Sequence, residues 1–376
     1  MSRLADDPAV LQRIFDHIDR RSSDRADATW REPVENYRSE ERFRAELEQV
    51  LRRAAVPLCP SAALVPAGAY VARSVAGIPL VAVRAKDGRA RVFRNACRHR
   101  GMALVDDGAG TCERALVCPY HAWTYDFDGC LRGVPHEDGF PGLDRATRGL
   151  VPVAASEHHG LVFASAQGPD VDAGSIGALD GLLTRAHRVF NHSQREVAAN
   201  WKVLAEGFLE GYHLRALHPD TFYPIQYDNL NLVDRLGGIT RITFPYRRIE
   251  QQRERPPEAR SSEGVLTHVY HVFPNAMVIT FSTNVTVVVL EPIAVDRTRL
   301  VTWILTTRDL DAPEVRDTLA RDLQFIDAGS AQDRHAAEAI QRGLASGANE
   351  FFEFGLYEGG IVHFHRTLQA VLGARA

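Results

Sequence analysis

The sequence predicts an α+β chain in two parts: an all-β module, then a larger domain in which an antiparallel sheet wraps around helices. Three observations carry that prediction. Residues 60–165 break into short alternating runs separated by Gly and Pro turns. From about residue 178 the pattern changes to longer strand-like runs at 239–249, 265–273, 276–290 and 299–306. Those runs lie between an early helix, Trp201–His218, and late helices at 313–327, 331–345 and 359–372, the grouping of an α+β layout.

Each part follows in chain order. Residues 8–56 carry helical spacing, with one stripe of Val10, Ile14, Phe15 and Ile18 and another of Phe43, Leu47, Val50 and Leu51. These helices hold little core alone and are expected to pack on the rest of the chain. The expected domains are therefore a helical segment at 1–45 packing on the last domain, the all-β module at 46–165, and the last domain at 166–376. Ala166–Gly177, containing Gly and Asp, reads as the junction. A length of 376 residues agrees with more than one domain.

The bulk composition narrows the function classes. Apolar content is 45% and charged content 24%, ordinary for a soluble globular protein. A net charge of −4 gives no sign of a nucleic-acid or anionic-membrane partner. No run reaches the length of a membrane span. The start, Met1-Ser-Arg-Leu-Ala-Asp-Asp7, lacks the apolar core of a signal peptide. A cytoplasmic location is expected, and Cys59, Cys112 and Cys130 read as free thiols there.

Within the all-β module, Cys97-Arg-His99 and Cys118-Pro-Tyr-His121 are two short runs with eighteen residues between them. Each offers one thiolate and one imidazole. Two Cys on one iron and two His on the other is the ligand set of a Rieske [2Fe–2S] centre. Tetrahedral zinc is the alternative use of two Cys and two His. Zinc-finger spacing puts both Cys in one pair and both His in the other, whereas here each pair is mixed. Ala90–Arg94 and Ala115–Val117 read as strands running into the two Cys. Asp87-Gly88 and Asp128-Gly129 are hairpin signals, and Gly101 and Pro119 suit tight loops. Through Cys118-Pro-Tyr-His-Ala-Trp-Thr-Tyr125 the segment resembles the Rieske domain of bacterial oxygenases. The resemblance implies Cys97, His99, Cys118 and His121 as cluster ligands. Tyr120, Trp123 and Tyr125 are placed to shield the cluster.

A second run is Asn200-Trp-Lys-Val-Leu-Ala-Glu206-Gly-Phe-Leu-Glu210-Gly-Tyr-His213-Leu-Arg-Ala-Leu-His218-Pro219. Glu206, Glu210 and His213, spaced four and three apart, share one helix face. His218 precedes a proline, which biases it out of the helical region, so it sits at a helix end and can turn back. Two His and one carboxylate on one face of an iron form the triad of non-haem Fe(II) oxygenases. Spacing leaves the carboxylate open between Glu206, Glu210 and the distant Asp333.

The order C-x-H, C-x-x-H, Asn-Trp-Lys, then E-x3-E-x2-H-x4-H-P resembles the catalytic subunit of Rieske non-haem iron oxygenases, from about residue 40 onward. That resemblance implies a helix-grip, START-like catalytic domain and a mononuclear iron on His213, His218 and Asp333. It implies that Glu210 bridges His213 to a cluster imidazole, that of His121, in a neighbouring subunit. The family usually has Asp there; a glutamate occurs in the carnitine-oxygenase branch. An Asn commonly follows the first Glu, where this chain has Gly207. A homotrimer is implied as well. The chain shows no dinucleotide fingerprint and no plant-type ferredoxin cysteine run. Electrons are therefore expected from NAD(P)H through a separate flavin/iron–sulfur reductase, with or without a ferredoxin.

The resulting expectation is a terminal oxygenase, an oxidoreductase using O2 to hydroxylate or oxidatively demethylate an aromatic or carboxylated small molecule. A quaternary ammonium substrate is the alternative within enzymes. An electron carrier with a ligand-binding module is the rival from another class. Asn275, Thr280, Ser282 and Asn284 are candidate pocket groups that could equally face solvent, and Arg241, Arg247 and Arg248 are candidate carboxylate anchors whose simpler reading is a charged strand end. His268 and His271 read as ordinary core or surface histidines.

Overall fold

The first helix, α1 (Asp7–Arg20), turns Val10, Leu11, Ile14 and Phe15 into a core with Leu230, Leu232, Ile249 and Val265. The structure, a computed structural model, describes residues 7–169, 171, 177–236 and 238–374. A short strand β1 (Trp30–Pro33) and helices α2 (Glu35–Arg38) and α3 (Glu40–Ala45) follow, ending in one π-helical turn at Glu46–Leu51. Ser39 accepts from the Arg42 N–H and so caps α3. Helical spacing missed β1, whose four residues are too few to alternate visibly.

Ten short strands come next: β2 (Val56–Pro60), β3 (Ala69–Val75), β4 (Ile78–Arg84), β5 (Ala90–Arg94), β6 (Gly108–Thr111), β7 (Leu116–Val117), β8 (Thr124–Tyr125), β9 (Leu131–Gly133), β10 (Ala154–His158) and β11 (Leu161–Ser165). They form three small sheets, ordered β5-β4-β3-β6, β10-β11-β2 and β7-β8-β9. Val81, Val83, Phe93, Leu116, Trp123 and Tyr125 share one core beneath them.

The last part is built on a seven-stranded sheet of β12 (Arg188–Val197), β13 (Leu232–Leu236), β14 (Ile239–Pro245), β15 (Leu266–Val272), β16 (Ala276–Thr280), β17 (Val285–Ala294) and β18 (Arg297–Thr306), in the order β12-β18-β17-β16-β15-β14-β13. From β13 to β18 it is an antiparallel meander. Its helices are α4 (Trp201–Gly207), α5 (Leu214–Leu217), α6 (Pro313–Leu344) and α7 (Gly359–Gly373). A strand β19 (Phe351–Phe354) pairs with β1.

Several expected elements differ. The run 276–290 is a hairpin, not one strand, because Phe281 N–H bonds Asn284 C=O and closes a turn at its polar centre. The two late helices are one 32-residue helix, α6, with no Pro or capped break between residues 327 and 331. The helix expected over Trp201–His218 is two, α4 and α5. Strand β12 was not expected; Arg188–Val197 is mostly polar and half exposed, so it shows no apolar alternation.

The chain divides into two units, Met1–Val50 with Ser175–Leu182 and Val189–Ala376, and Leu51–Gly174 with Leu183–Arg188. The first boundary lies past the expected 45/46, because Glu46 is tied by hydrogen bonds to Trp201 and Lys202 of the larger unit. Residues 166–168 belong to the smaller unit, with Gln167 N–H on Arg52 C=O and Gly168 N–H on Ser165 Oγ. Of the expected junction Ala166–Gly177, residues 170 and 172–176 lie outside the described residues. Among the described residues no helix is long and apolar enough to cross a membrane.

Candidate cluster and metal sites

In the smaller unit, β5 and β7 lead into two loops of the same form. Cys97 N–H bonds Met102 C=O while Gly101 N–H bonds Cys97 C=O; Cys118 N–H bonds Trp123 C=O while Ala122 N–H bonds Cys118 C=O. The residue four after each Cys, Gly101 (φ +78°) or Ala122 (φ +57°), takes the left-handed turn that closes the loop. Both Cys are buried, whereas His99 is half-buried and His121 exposed. The two imidazoles lie 4.7 Å apart between centroids, and Trp123 stacks on His99 at 4.9 Å. Burial pushes the Cys97 thiol up, and the neighbouring Cys118 adds to this. Tyr125 Oη lies 3.3 Å from Cys97 Sγ and accepts from Arg98 N–H. Tyr120 is exposed and lies 3.8 Å from the His121 ring. Two buried thiols behind two outward imidazoles fit a cluster with one iron facing in and one facing out.

In the larger unit the Asn-Trp-Lys run is an anchor. Asn200 caps α4 by accepting from Lys202 N–H, and its Nδ2 donates to Tyr37 C=O and Val295 C=O. Trp201 Nε1 and Lys202 Nζ both donate to the fully buried Glu46, at 2.9 and 2.8 Å. α4 then stops at Gly207. Glu210 and His213 therefore sit in the turn before α5 rather than on the shared helix face expected. His218 is the residue that ends α5, with non-helical φ −115° and ψ 42°, as its proline suggested.

This bend brings His213 and His218 to Asp333 of α6, with one ligand atom of each within 4.8 Å of the others. His218 Nε2 lies 2.9 Å and His213 Nε2 3.7 Å from Asp333 Oδ1. Both Nδ1 atoms are taken: His213 bonds Glu210 Oε1, and His218 lies 2.8 Å from Gln332 Oε1. Glu210 Oε2 accepts from the Tyr212 and His213 N–H groups. Burial works against the His213 imidazolium, but the Glu210 and Asp333 carboxylates prevail and raise its pKa. Imidazoles that donate from Nδ1 turn the Nε2 lone pair outward, so two Nε2 and one carboxylate oxygen converge. That donor set fits a non-haem iron. Glu206 is not part of it: Tyr37 Oη and His365 Nε2 hold its Oε1 at 2.6 and 2.9 Å.

A cavity of 680 Å³ opens beside the triad. Its walls include Phe208, Phe222, Phe244, Val288, Ile304 and Leu323. Phe222 packs on the His218 ring at 4.9 Å and on Phe325 at 5.7 Å. It fits because α6 has glycine at 329, where a Cβ would stand 2.3 Å from the Phe222 ring. Of the candidate pocket groups and anchors, Ser282, Asn284 and Arg248 line the cavity. Arg241 does not: its guanidinium bonds Asp234 at 2.8 Å. Arg247 is exposed over Tyr223 and Tyr227, and Asn275 is buried with its Nδ2 on Leu290 C=O. Thr280, His268 and His271 stand outside the lining. Sequence reasoning gave no role to Gln332, Tyr37 or His365. A neutral amide next to a ligand leaves no spacing signal, and the other two come from opposite ends of the chain.

The model of the family described as ring hydroxylating alpha subunit (catalytic domain) matches residues 183–374, and that of the Rieske [2Fe-2S] domain matches 54–147. The chain belongs to the ring-hydroxylating alpha-subunit family. It is 30% identical over 214 residues to the carnitine monooxygenase oxygenase subunit of Acinetobacter pittii (strain PHEA-2), a stretch covering 54% of this chain and 56% of that protein. Against the carnitine monooxygenase oxygenase subunit of Escherichia coli (strain K12) identity is 26%, covering 91% and 94%. The fold matches the quaternary ammonium Rieske monooxygenase CntA in complex with inhibitor MMV12, with a TM-score of 0.79, 23% identity and 99% of each chain covered. The Rieske module followed by an antiparallel-sheet-and-helix domain is thus the family's fold.

Proposed function

We propose that this chain is the terminal oxygenase of a multicomponent system, oxidising a small organic molecule with O2 and two electrons. The observation that supports it most is the presence of two complementary donor sets in one chain of this family. Cys97, His99, Cys118 and His121 would hold the [2Fe–2S] cluster, and His213, His218 and Asp333 the mononuclear Fe(II). When bound, the cluster supplies single electrons and the iron supplies O2 activation beside the substrate. The protein does the rest. Glu210 and Gln332 orient the two imidazoles through Nδ1. Phe222 and the aliphatic sheet face exclude water and place the substrate.

Electrons are assigned to NAD(P)H through a separate flavin/iron–sulfur reductase, with or without a ferredoxin. The assembly proposed is a homotrimer in the cytoplasm, with Glu210 linking His213 to His121 of a neighbouring subunit.

The apolar aromatic lining, which includes Phe208, Phe222, Phe244 and Phe281, supports an aromatic or carboxylated substrate. A second reading, a quaternary ammonium compound, has its own support. The named relatives are carnitine monooxygenase subunits, and Glu206, Glu358 and Asp322 bring negative charge to an aromatic-lined cavity. Substrate-dependent O2 uptake with a quaternary amine against an aromatic acid separates the two.

Iron and acid-labile sulfide analysis with EPR tests the whole reading. Expected are two irons and two sulfides for the cluster and a third iron that Asp333→Ala removes while the Rieske signal stays. Two irons after Fe(II) reconstitution would favour the electron carrier, and zinc without sulfide would overturn both.

A further inference from the structure

We propose that Gln332 is a positioning residue that keeps the metal site open by fixing the tautomer of His218. α6 grips this fully buried ring through two consecutive residues, one at each nitrogen: Gln332 Oε1 at 2.8 Å from Nδ1 and Asp333 Oδ1 at 2.9 Å from Nε2. A neutral imidazole carries one N–H and one lone pair. If the proton sat on Nε2, it would bond Asp333, tying ligand to ligand and leaving no lone pair for a metal. If it sits on Nδ1, Nε2 and Asp333 both present lone pairs to the same point.

Gln332 decides between the two. Thr221 Oγ1 donates to the same Oε1 at 2.8 Å. With its oxygen toward the ring the amide gathers two donors, that hydroxyl and Nδ1–H, while the hydroxyl itself lies 3.4 Å from Nδ1. Oε1 then accepts from Nδ1–H and draws the proton away from Nε2. The two imidazoles are thus set by different chemistry, His213 by the Glu210 carboxylate and His218 by a neutral amide. The amide adds no negative charge to a site already holding Glu210 and Asp333. Gln332 is not among the cavity-lining residues, so its effect runs through His218 and not through substrate contact.

The inference rests on the ligand assignment proposed above. Its test is Co(II) affinity, measured by anaerobic chelator competition on the intact chain, stripped of mononuclear iron and retaining the cluster. Gln332→Leu is expected to bind Co(II) about 10- to 100-fold more weakly, the usual loss for an outer partner of a ligating His. Gln332→Glu keeps an acceptor at the same reach and is expected to stay near the unchanged protein. Gln332→Met, closer in shape, replaces Leu if Leu disturbs folding, judged by the Rieske EPR signal. Unchanged affinity in the Leu or Met variant would overturn the proposal, as would an equal loss in Gln332→Glu. Asp333→Ala keeps the two failures apart: if it also leaves affinity unchanged, the ligand assignment is wrong; if it alone weakens binding, only the role of Gln332 falls.

Discussion

Tyr125 is buried, and its hydroxyl reaches both Cys97 Sγ and the Arg98 N–H. Burial, with Cys97 beside it, pushes its pKa up, so it stays a hydrogen-bond donor at any working pH. Donation to a cluster sulfur raises the reduction potential. Tyr125→Phe is expected to lower the midpoint in a redox titration with the cluster still assembled. An unmoved midpoint would mean that the hydroxyl serves the loop alone. His271 gives a pH prediction. Burial lowers its pKa to about 4, with Nε2–H on Pro274 C=O acting the other way. An unfolded His titrates near 6.5. As pH falls from about 6.5 to 4, the unfolded chain takes a proton that the folded chain refuses. The stability owed to this neutral ring is complete above pH 6.5 and is lost toward pH 4, on the order of 3 kcal/mol in total. The melting temperature of His271→Asn is expected to fall less steeply between pH 7 and 5 than that of the unchanged protein; parallel slopes would discard the assignment. Single residues were legible where chemistry narrows the choice of side chain. Cys97, His99, Cys118 and His121 stood out as a mixed pair of pairs, whereas Gln332 and Tyr37 act through contacts no local spacing encodes.

At the scale of elements, α4 is held by what precedes it in sequence by more than 150 residues. Glu46 accepts from Arg42 Nε at 2.9 Å, Trp201 Nε1 at 2.9 Å and Lys202 Nζ at 2.8 Å, with Glu46 and Lys202 fully buried. Breaking a buried pair by removing one partner typically costs about 3–5 kcal/mol. Lys202→Met is expected at the low end of that range, since Arg42 still faces Glu46. The double variant with Glu46→Leu, which removes both charges, should recover part of the loss. Urea unfolding reads both, and a Lys202→Met loss below about 1 kcal/mol, within the range of surface ion pairs, would deny the pair its anchoring role. The Asn-Trp-Lys run was legible as a motif but not as an anchor, because its partner lies in the π-helical turn after α3. Periodicity also overran the helix. Glu206, Glu210 and His213 obey helical spacing, yet α4 ends at Gly207 and His213 swings to Asp333 through a turn. The seven-stranded sheet was legible only where strands are apolar; β12 is polar and β13 short, so neither declared itself.

At the scale of the whole molecule, the two donor sets fall in different units, and the proposed oxygenase reaction requires an electron path from one to the other. The order of the motifs was readable because each proposed site draws its donors from contiguous pairs, and only Asp333 had to come from a distant helix. The path itself is not written in any one segment. On the function proposed above Glu210 supplies it: its Oε1 bonds His213 Nδ1, and its Oε2 accepts from two backbone N–H groups, so the carboxylate is held in place within its own chain. Glu210→Gln keeps the side-chain length and one oxygen acceptor for His213, turns its NH2 against the Tyr212 and His213 N–H groups, and removes the charge that can accept from a second imidazole. Iron content and the Rieske signal are therefore expected to be unchanged. In a single-turnover experiment with substrate and O2, reoxidation of the pre-reduced cluster should slow severely, and product per reduced cluster should collapse. Loss of iron in this variant would make Glu210 a support for His213 alone. Normal reoxidation with normal iron would place the electron path elsewhere on the molecule.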